Sequence, residues 1–143
     1  MFACFIDCFI PDDSVFAPPP QTLHLSQAAH QLLQKTPKLV GPILVGDLNA
    51  GKNYVPLNAR KNMALFSSPD YVFGITNGTD TTVREGTDFT YDRIIWFKED
   101  TDFIHLAGDG DGVWRWNKPL GICEEPDMLK ISDHWAVEAW INV

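Results

Sequence analysis

Three short acidic motifs carry side chains that suit phosphate and metal chemistry. They occupy residues 46–50 (Gly-Asp-Leu-Asn-Ala), 91–93 (Tyr-Asp-Arg) and 132–134 (Ser-Asp-His), about 40 to 45 residues apart. Each motif adjoins an apolar run that is typical of a β-strand. If the strand ends converge, the carboxylates of Asp47, Asp92 and Asp133 would meet around one divalent cation and one phosphate.

The first motif places an amide two residues after a carboxylate. Asp47 can hold a cation or orient an attacking water, while Asn49 can donate a neutral hydrogen bond to a phosphate oxygen. An Asp-x-Asn sequence is also common in ordinary β-turns, where both side chains bond the local backbone. The third motif is ambiguous in the same way, since a single histidine at a strand start is often a surface residue.

The elements that must position these motifs can be read from hydrophobic patterning. Residues 2–10 and 40–45 predict buried strands, and the second delivers Asp47 and Asn49 just past its end. Apolar residues spaced i, i+4, i+7 and i+8 predict a helix between Thr22 and Pro37. Residues 51–68 are polar and irregular, with Arg60 and Lys61 as their basic feature.

A strand pair is predicted across residues 71–75 and 93–97, linked by a turn signal at 76–80. A glycine-rich loop at 108–112 precedes a short strand at 113–116. The final segment, 135–143, alternates apolar and polar residues, which predicts one strand with Trp135, Val137, Ala139 and Ile141 on a single face.

Composition limits the classes of function. A length of 143 residues with 45% hydrophobic and 12% aromatic content indicates one globular domain. The formal net charge of −8 opposes passive electrostatic capture of nucleic acid, so a polyanionic substrate would need bound cations. The apolar start, residues 1–10, lacks a basic flank and is expected to be a core strand rather than a signal peptide. No stretch approaches a membrane-spanning length, and we expect no membrane association.

Together the motifs resemble those of the deoxyribonuclease I-like members of the endonuclease/exonuclease/phosphatase superfamily. Gly-Asp-Leu-Asn-Ala is similar to the family's Gly-Asp-Phe-Asn motif, Tyr91-Asp92-Arg93-Ile94 to its Tyr-Asp-Arg-Ile motif, and the last motif to its Ser-Asp-His motif near the C-terminus. The resemblance implies an α+β fold: part of a four-layer α/β sandwich, with one mixed β-sheet and a helix on its outer face.

The resemblance also implies roles for individual residues. His134, Asp92, Asp47 and Asn49 would be catalytic, with Asp92 hydrogen-bonded to His134 so that the imidazole is oriented. Asp133 and Asp47 would bind the metal. A strand-start aspartate paired with Arg93 is the plainer interpretation of Asp92.

Cofactors and secondary contacts follow from the same resemblance. The expected cation is Mg²⁺ or Mn²⁺, and Ca²⁺ is a further candidate because a family calcium loop is similar to the segment containing Asp80, Thr82 and Thr87. A threonine-rich turn explains that segment equally well. The cationic candidates for phosphate contact are Arg60, Lys61 and Arg93. A disulfide of secreted family members is lost, since Lys52 and Phe89 stand in the matching positions.

The resemblance covers residues 40–143 well and residues 1–39 loosely, as expected for the C-terminal half of such a domain. The N-terminal catalytic glutamates and a second histidine of the family have no counterpart here. A missing N-terminal half or a second polypeptide would then have to cover the inner face of the sheet, which is expected to lie exposed.

Three functions are consistent with these observations. The first is a divalent-cation-dependent endonuclease acting on phosphodiester bonds, with DNA as substrate. The second is a non-catalytic remnant or interaction module of the same fold. The third is a superfamily phosphatase or lipid phosphodiesterase, because the motifs address the phosphate rather than the leaving group.

Overall fold

The computed structural model describes residues 3–5, 43–51, 54–107 and 110–142. These residues contain eight β-strands and four short helices of four residues each. The strands are β1 (Ala3–Phe5), β2 (Ile43–Asp47), β3 (Tyr71–Phe73), β4 (Asp92–Phe97), β5 (Ile104–Leu106), β6 (Val113–Trp114), β7 (Ala136–Val137) and β8 (Ala139–Ile141). The helices are α1 (Leu57–Arg60), α2 (Ala64–Ser67), α3 (Asn117–Leu120) and α4 (Glu125–Met128), and a 3₁₀ segment spans Lys98–Phe103.

The largest sheet has four strands in the order β1-β2-β4-β3. β1 and β2 are parallel, whereas β4 is antiparallel to both β2 and β3. The prediction of a mixed sheet is therefore confirmed. The predicted pairing of residues 71–75 with 93–97 is also confirmed, in the register Tyr71 to Phe97 and Phe73 to Ile95, although β3 ends two residues earlier than expected.

β4 is the centre of the described core, since all six of its residues are buried. Alternation along the strand sends Ile95 and Phe97 to one hydrophobic cluster, and Ile94 and Trp96 to another on the opposite face. Burying each such side chain stabilises the fold by about 1.5–3 kcal/mol. The expectation of an exposed sheet face is wrong for this strand, because the described residues cover it on both sides.

Two short ribbons supply the cover on the second face. β5 pairs with β8 and β6 pairs with β7, each pair antiparallel. The prediction of one final strand is wrong: it divides at Glu138, whose N–H donates to Gly112 O at 2.9 Å and whose carbonyl accepts from Ala107 N. The predicted face is nevertheless correct, since the four alternating apolar residues (Trp135, Val137, Ala139 and Ile141) all pack against the same cluster.

Residues 54–68 cover the first face, and they are more regular than expected. They form α1 and α2, neither of which has a side-chain N-cap. Single turns of helix are not stable alone, so tertiary packing must hold them. Leu65 and Val55 are completely buried in the first cluster and provide that packing.

Two earlier expectations lie outside the described residues. They are the helix predicted between Thr22 and Pro37, which would have been the outer helix of the sandwich, and the part of the first predicted strand beyond β1. No helix in the described part of the chain has the length and apolar character needed to cross a lipid bilayer.

Candidate active site

The pairing of β2 with β4 brings two carboxylates together. Asp47 and Asp92 are direct cross-strand partners at the end of the ladder. Side chains of directly opposed residues project from the same face of a sheet, so both carboxylates lie at one edge. A further bond from Leu48 N to Tyr91 O, 3.0 Å long, continues the pairing past Asp47. Asp47 is thus the last residue of β2, not a residue beyond it as the sequence suggested.

Asn49 is held in an uncommon conformation beside Asp47. Its φ of 44° makes it the one non-glycine residue with positive φ among those described. Its backbone N–H donates to Asp47 Oδ1 at 2.7 Å, and its side-chain Nδ2 donates to Asp47 Oδ2 at 3.0 Å. The turn interpretation of Asp-x-Asn is therefore correct in geometry. Such backbone strain is concentrated at functional sites, which is compatible with a second role.

A third segment places His134 against Asp92. His134 Nδ1 lies 2.8 Å from Asp92 Oδ2, although 42 residues separate the two in sequence. The bond leaves Nε2 as the outward nitrogen of the imidazole. Arg93, which sequence alone offered as the partner of Asp92, bonds Ile75 O and Asn77 Oδ1 instead.

The surroundings favour the protonated imidazole. The hydrogen bond that the imidazolium donates to Asp92 is the main cause that raises the pKa of His134 to about 9, against an opposing effect of burial. The negative charges of Asp92, Asp47 and Asp133 add to the rise. In the absence of a bound cation, His134 is consequently an imidazolium at neutral pH and can donate a proton from Nε2.

The segment from Thr81 to Val83 connects β4, which begins at Asp92, to the segment that carries His134. Thr82 forms an isolated antiparallel bridge with His134, and Val83 N donates to Asp133 O at 2.8 Å. On the other side, Thr81 Oγ1 accepts from Asp92 N at 3.2 Å. Sequence analysis placed Thr81 only inside the segment that is similar to a calcium loop, because a threonine in a turn-rich stretch has no signal for a positioning role.

Thr81 is completely buried and its hydroxyl makes three bonds. It also accepts from Tyr91 N at 3.1 Å and donates to Phe89 O at 3.2 Å. A buried hydroxyl with all its bonds satisfied fixes its neighbours closely. Thr81 is therefore a positioning residue for the backbone that carries Asp92.

Aromatic side chains flank the imidazole. The rings of Tyr91 and His134 lie 5.8 Å apart, Phe89 stacks on Tyr91 at 5.3 Å, and Tyr54 meets Tyr91 edge-on at 5.4 Å. Gly51 permits this packing, because a Cβ there would come within 2.4 Å of Tyr91 Cε1. Tyr54 and Gly51 were also missed from sequence, although Gly51 follows directly on the Asp-Leu-Asn-Ala motif.

The candidate calcium residues are grouped next to this segment. Asp80 Oδ1 accepts from Thr82 N, from Thr82 Oγ1 at 2.6 Å and from Phe89 N. Thr82 Oγ1 lies 2.7 Å from Thr87 Oγ1. The three oxygen-bearing side chains do converge, and protein donors already occupy Asp80. Calcium binding here stays a prediction.

The candidate phosphate-contacting residues are not brought to His134. Arg60 and Arg93 are 6% and 1% exposed, and both donate hydrogen bonds to the side chain of Asn77. Lys61 is exposed. Arg93 is adjacent to Asp92 on β4, so alternation places its side chain on the opposite face of the strand. The structure thus separates the predicted basic residues from the acidic ones.

The donor set can be compared with the needs of a metal ion. Within the described ranges, no three His, Cys, Asp or Glu side chains are grouped so as to hold a metal unaided. Mg²⁺ commonly binds proteins through one or two carboxylates and takes its remaining ligands from water and substrate phosphate. Asp47 and Asp133, whose charges both reach His134, fit that mode of binding.

The site therefore combines an aspartate-oriented histidine with a second carboxylate, Asp47, at the same sheet edge, a combination that suits the hydrolysis of phosphate esters. Comparison with known proteins agrees. The chain is 38% identical over 96 residues to deoxyribonuclease gamma of Rattus norvegicus, which is 67% of this chain and 30% of that protein. It is 36% identical over 96 residues to deoxyribonuclease gamma of Homo sapiens, again covering 67% of this chain and 31% of that protein.

A second group of relatives is similar at a lower level. Deoxyribonuclease-1-like 1 of Homo sapiens is 34% identical over 102 residues, covering 71% of this chain and 32% of that protein. No protein-family model matches the chain. The chain belongs to the deoxyribonuclease I-like family. Its matched region spans less than a third of the length of the curated relatives.

Proposed function

We propose that the chain carries part of the active site of a divalent-cation-dependent endonuclease that hydrolyses phosphodiester bonds in DNA. The observation that carries the proposal is the 2.8 Å contact between Asp92 Oδ2 and His134 Nδ1, at the end of the ladder where Asp47 faces Asp92. The relatives are nucleases by name, and DNA is the substrate that those names indicate.

His134 is the proton donor in this proposal. Water attacks phosphorus and loses a proton to a base from outside the described residues, the bond from phosphorus to the leaving sugar oxygen breaks, and His134 Nε2 gives its proton to that oxygen. Asp92 keeps the imidazole in the orientation and charge state that the transfer needs. Asn49, released from Asp47, would donate Nδ2–H to a non-bridging phosphate oxygen.

Asp47 and Asp133 are the proposed ligands of Mg²⁺ or Mn²⁺. A divalent cation bound there would neutralise charge that accumulates on the phosphoryl oxygens. This role also answers the electrostatic problem set by the net charge of −8, which otherwise repels a polyanion. A structural Ca²⁺ is proposed to bind the side-chain oxygens of Asp80, Thr82 and Thr87.

Full activity is proposed to need residues beyond the matched region, and the chain alone is expected to nick DNA only weakly. Among the described residues, His134 is the one histidine paired with a carboxylate. An N-terminal half or a second polypeptide would supply a further acid/base group and complete the four-layer sandwich. The exposed indoles of Trp114 and Trp140, on the ribbons, are 44% and 67% accessible and are apolar surface that such a partner could cover.

The direct test is nicking of supercoiled plasmid with Mg²⁺, Mn²⁺ or EDTA. We expect cation-dependent nicking that is lost in Asp133→Ala and in His134→Ala. His105→Ala is the matched control, because His105 is exposed on β5 and takes no part in the site. Circular dichroism of each variant separates loss of chemistry from loss of fold. Nicking that is unchanged in both site variants would refute the proposal.

A non-catalytic remnant or interaction module is the second candidate, and it is favoured by the two hydrogen bonds through which Asn49 occupies both carboxylate oxygens of Asp47. Its expected behaviour is normal folding with no hydrolysis of DNA, RNA or bis-aryl phosphates at any cation concentration. A phosphatase or lipid phosphodiesterase is the third candidate. The described site residues address a phosphate and leave the leaving group open, so parallel assays on phosphomonoesters and phospholipid headgroups distinguish it from a nuclease.

A further inference from the structure

Two buried arginines share one neutral hydrogen-bond acceptor. Arg60 Nη1 and Arg93 Nη2 both donate to Asn77 Oδ1, at 2.7 and 2.8 Å. The remaining bonds also go to neutral oxygens: Arg60 Nε donates to Val55 O and Arg93 Nη1 to Ile75 O. Arg93 Nε is buried and has no partner. We refer to Arg60, Arg93 and Asn77 as the arginine cluster.

The cluster is separate from the candidate active site. Arg93 follows Asp92 on β4 and so projects from the opposite face. Aromatic rings complete its surroundings: Arg93 lies 5.9 Å from the centroid of Phe73, Arg60 lies 5.8 Å from that of Phe66, and the two rings stack at 5.0 Å. These rings and the core exclude water from one side of both guanidinium groups.

Electrostatics make this arrangement unfavourable without a further partner. Removing a guanidinium from water is costly unless a negative charge compensates. In the described part of the chain, neither arginine forms an ion pair, and burial together with the charge of Arg60 lowers the pKa of Arg93 to about 10. Asp92 partly offsets this effect, but its carboxylate is bonded to His134.

We propose that the arginine cluster binds a small inorganic anion, such as chloride or phosphate. Asn77 is exposed, in the turn that contains Gly78, so the cluster opens to solvent at this side chain. The anion takes the place of Asn77 Oδ1 between the two guanidinium groups when the asparagine side chain turns outward. Guanidinium groups are the side chains that bind anions with several donors at once.

A free ion fits this site better than a phosphate of a nucleic-acid chain. Arg93 is 1% exposed and Arg60 is 6% exposed, so a ligand must pass below the surface to contact both. A backbone phosphate is attached to sugars on two sides and cannot be buried in this way without displacing the turn. Bound anion would stabilise the fold, because it binds the native state and not the unfolded chain.

The experiment measures thermal and urea unfolding of the whole chain in EDTA. The ionic strength is held constant while a bulky organic anion in the buffer is replaced by chloride or by inorganic phosphate. An anion at ten times its Kd should lower the unfolding equilibrium constant about tenfold. In Asn77→Asp a covalently attached carboxylate replaces the ion. This variant should be more stable than the parent chain without the anion and should lose the response.

Lys118→Gln is the matched control. It changes the net charge by the same −1 as Asn77→Asp, on an exposed residue of α3, and leaves the cluster intact. Its response to chloride or phosphate should equal that of the parent chain. The proposal is overturned if the parent chain shows no response, if Asn77→Asp responds as the parent does, or if only a DNA oligonucleotide produces a shift that depends on Asn77.

Discussion

Replacing Asp92 by asparagine tests the electrostatic design of the site. The change keeps the size of the side chain and removes its negative charge. In the parent chain, the hydrogen bond that His134 donates to Asp92 is the main cause that raises the pKa of His134 from its ordinary value of 6.5 to about 9. Burial acts in the opposite direction and persists in Asp92→Asn. The pKa of His134 should therefore fall.

The size of the fall can be bounded. A rise from 6.5 to about 9 corresponds to roughly 3.5 kcal/mol in favour of the imidazolium, at about 1.4 kcal/mol per pH unit. Since 24% of the His134 side chain is exposed, water screens part of this interaction. Asp47 and Asp133 still raise the pKa in the variant. We expect a fall of roughly 1 to 2 pH units, which is about 1.4 to 2.7 kcal/mol.

The assay is an NMR titration of the imidazole Cε1–H signals in EDTA, so that no divalent cation competes with the proton. The chain has four histidines, and the loss of one signal in His134→Gln assigns the relevant resonance. Asp133→Asn is the control. Asp133 acts on His134 only through its charge, as the smallest of the contributions, so its removal should lower the pKa by less.

Two results would contradict the reasoning. If the pKa of His134 stays near 9 in Asp92→Asn, the hydrogen bond is not its main cause. If Asp133→Asn lowers it by as much as Asp92→Asn does, the general field of the acidic residues controls the imidazole rather than the specific contact. A chemical-shift map of backbone amides in each variant verifies that β4 is intact.

Three further predictions concern stability. Because the pKa of His134 is raised in the folded chain, its stabilising effect is fully present below pH 6.5 and is lost as the pH rises through about 9. The free energy of unfolding in urea should therefore fall by roughly 1–2 kcal/mol over this range. His134→Gln should abolish that part of the loss. Thr81→Val leaves two buried N–H groups unpaired and should lower the free energy of unfolding by about 2–4 kcal/mol, whereas Thr81→Ser, which keeps the hydroxyl, should lose less than half as much. Gly51→Ala places a methyl group against Tyr91 and should lower the free energy of unfolding by about 1–3 kcal/mol, with a shift of the His134 signal. Gly78→Ala is the control, because its methyl group would contact no atom within 4 Å. It should cost only about 1 kcal/mol, for the positive φ of its backbone, and leave the His134 signal in place.

Sequence patterns were sufficient for the parts of the fold that depend on local alternation. Ile43 to Val45 of β2 and Ile94 to Phe97 of β4 are continuous apolar runs, which is the pattern typical of strands buried on both faces. The final alternating segment showed correctly which of its residues face the core. Pattern alone could not show that Glu138 bonds the backbones of Ala107 and Gly112, because such contacts depend on distant loops.

The grouping of Asp47 with Asp92 was predictable from local patterns, whereas the residues that hold them in position were not. Asp47 and Asp92 each terminate an apolar run, so pairing of those runs brings them together. Thr81 gives no such signal, since its importance comes from two N–H groups that reach it from residues ten and eleven positions away. The burial of Arg60 was also hidden, because a basic residue in a polar stretch is normally exposed.

Register connects the core of this protein to its chemistry. Shifting β2 against β4 by one residue would move Asp47 to the other face, away from His134, and would also turn Leu44 out of the core. The hydrophobic pairing of Leu44 with Ile95 therefore selects the same alignment that sets Asp47 opposite Asp92. Burial of the strand and assembly of the site are thus one structural requirement, and a change that disturbs the core of β4 should perturb the environment of His134 without contacting it.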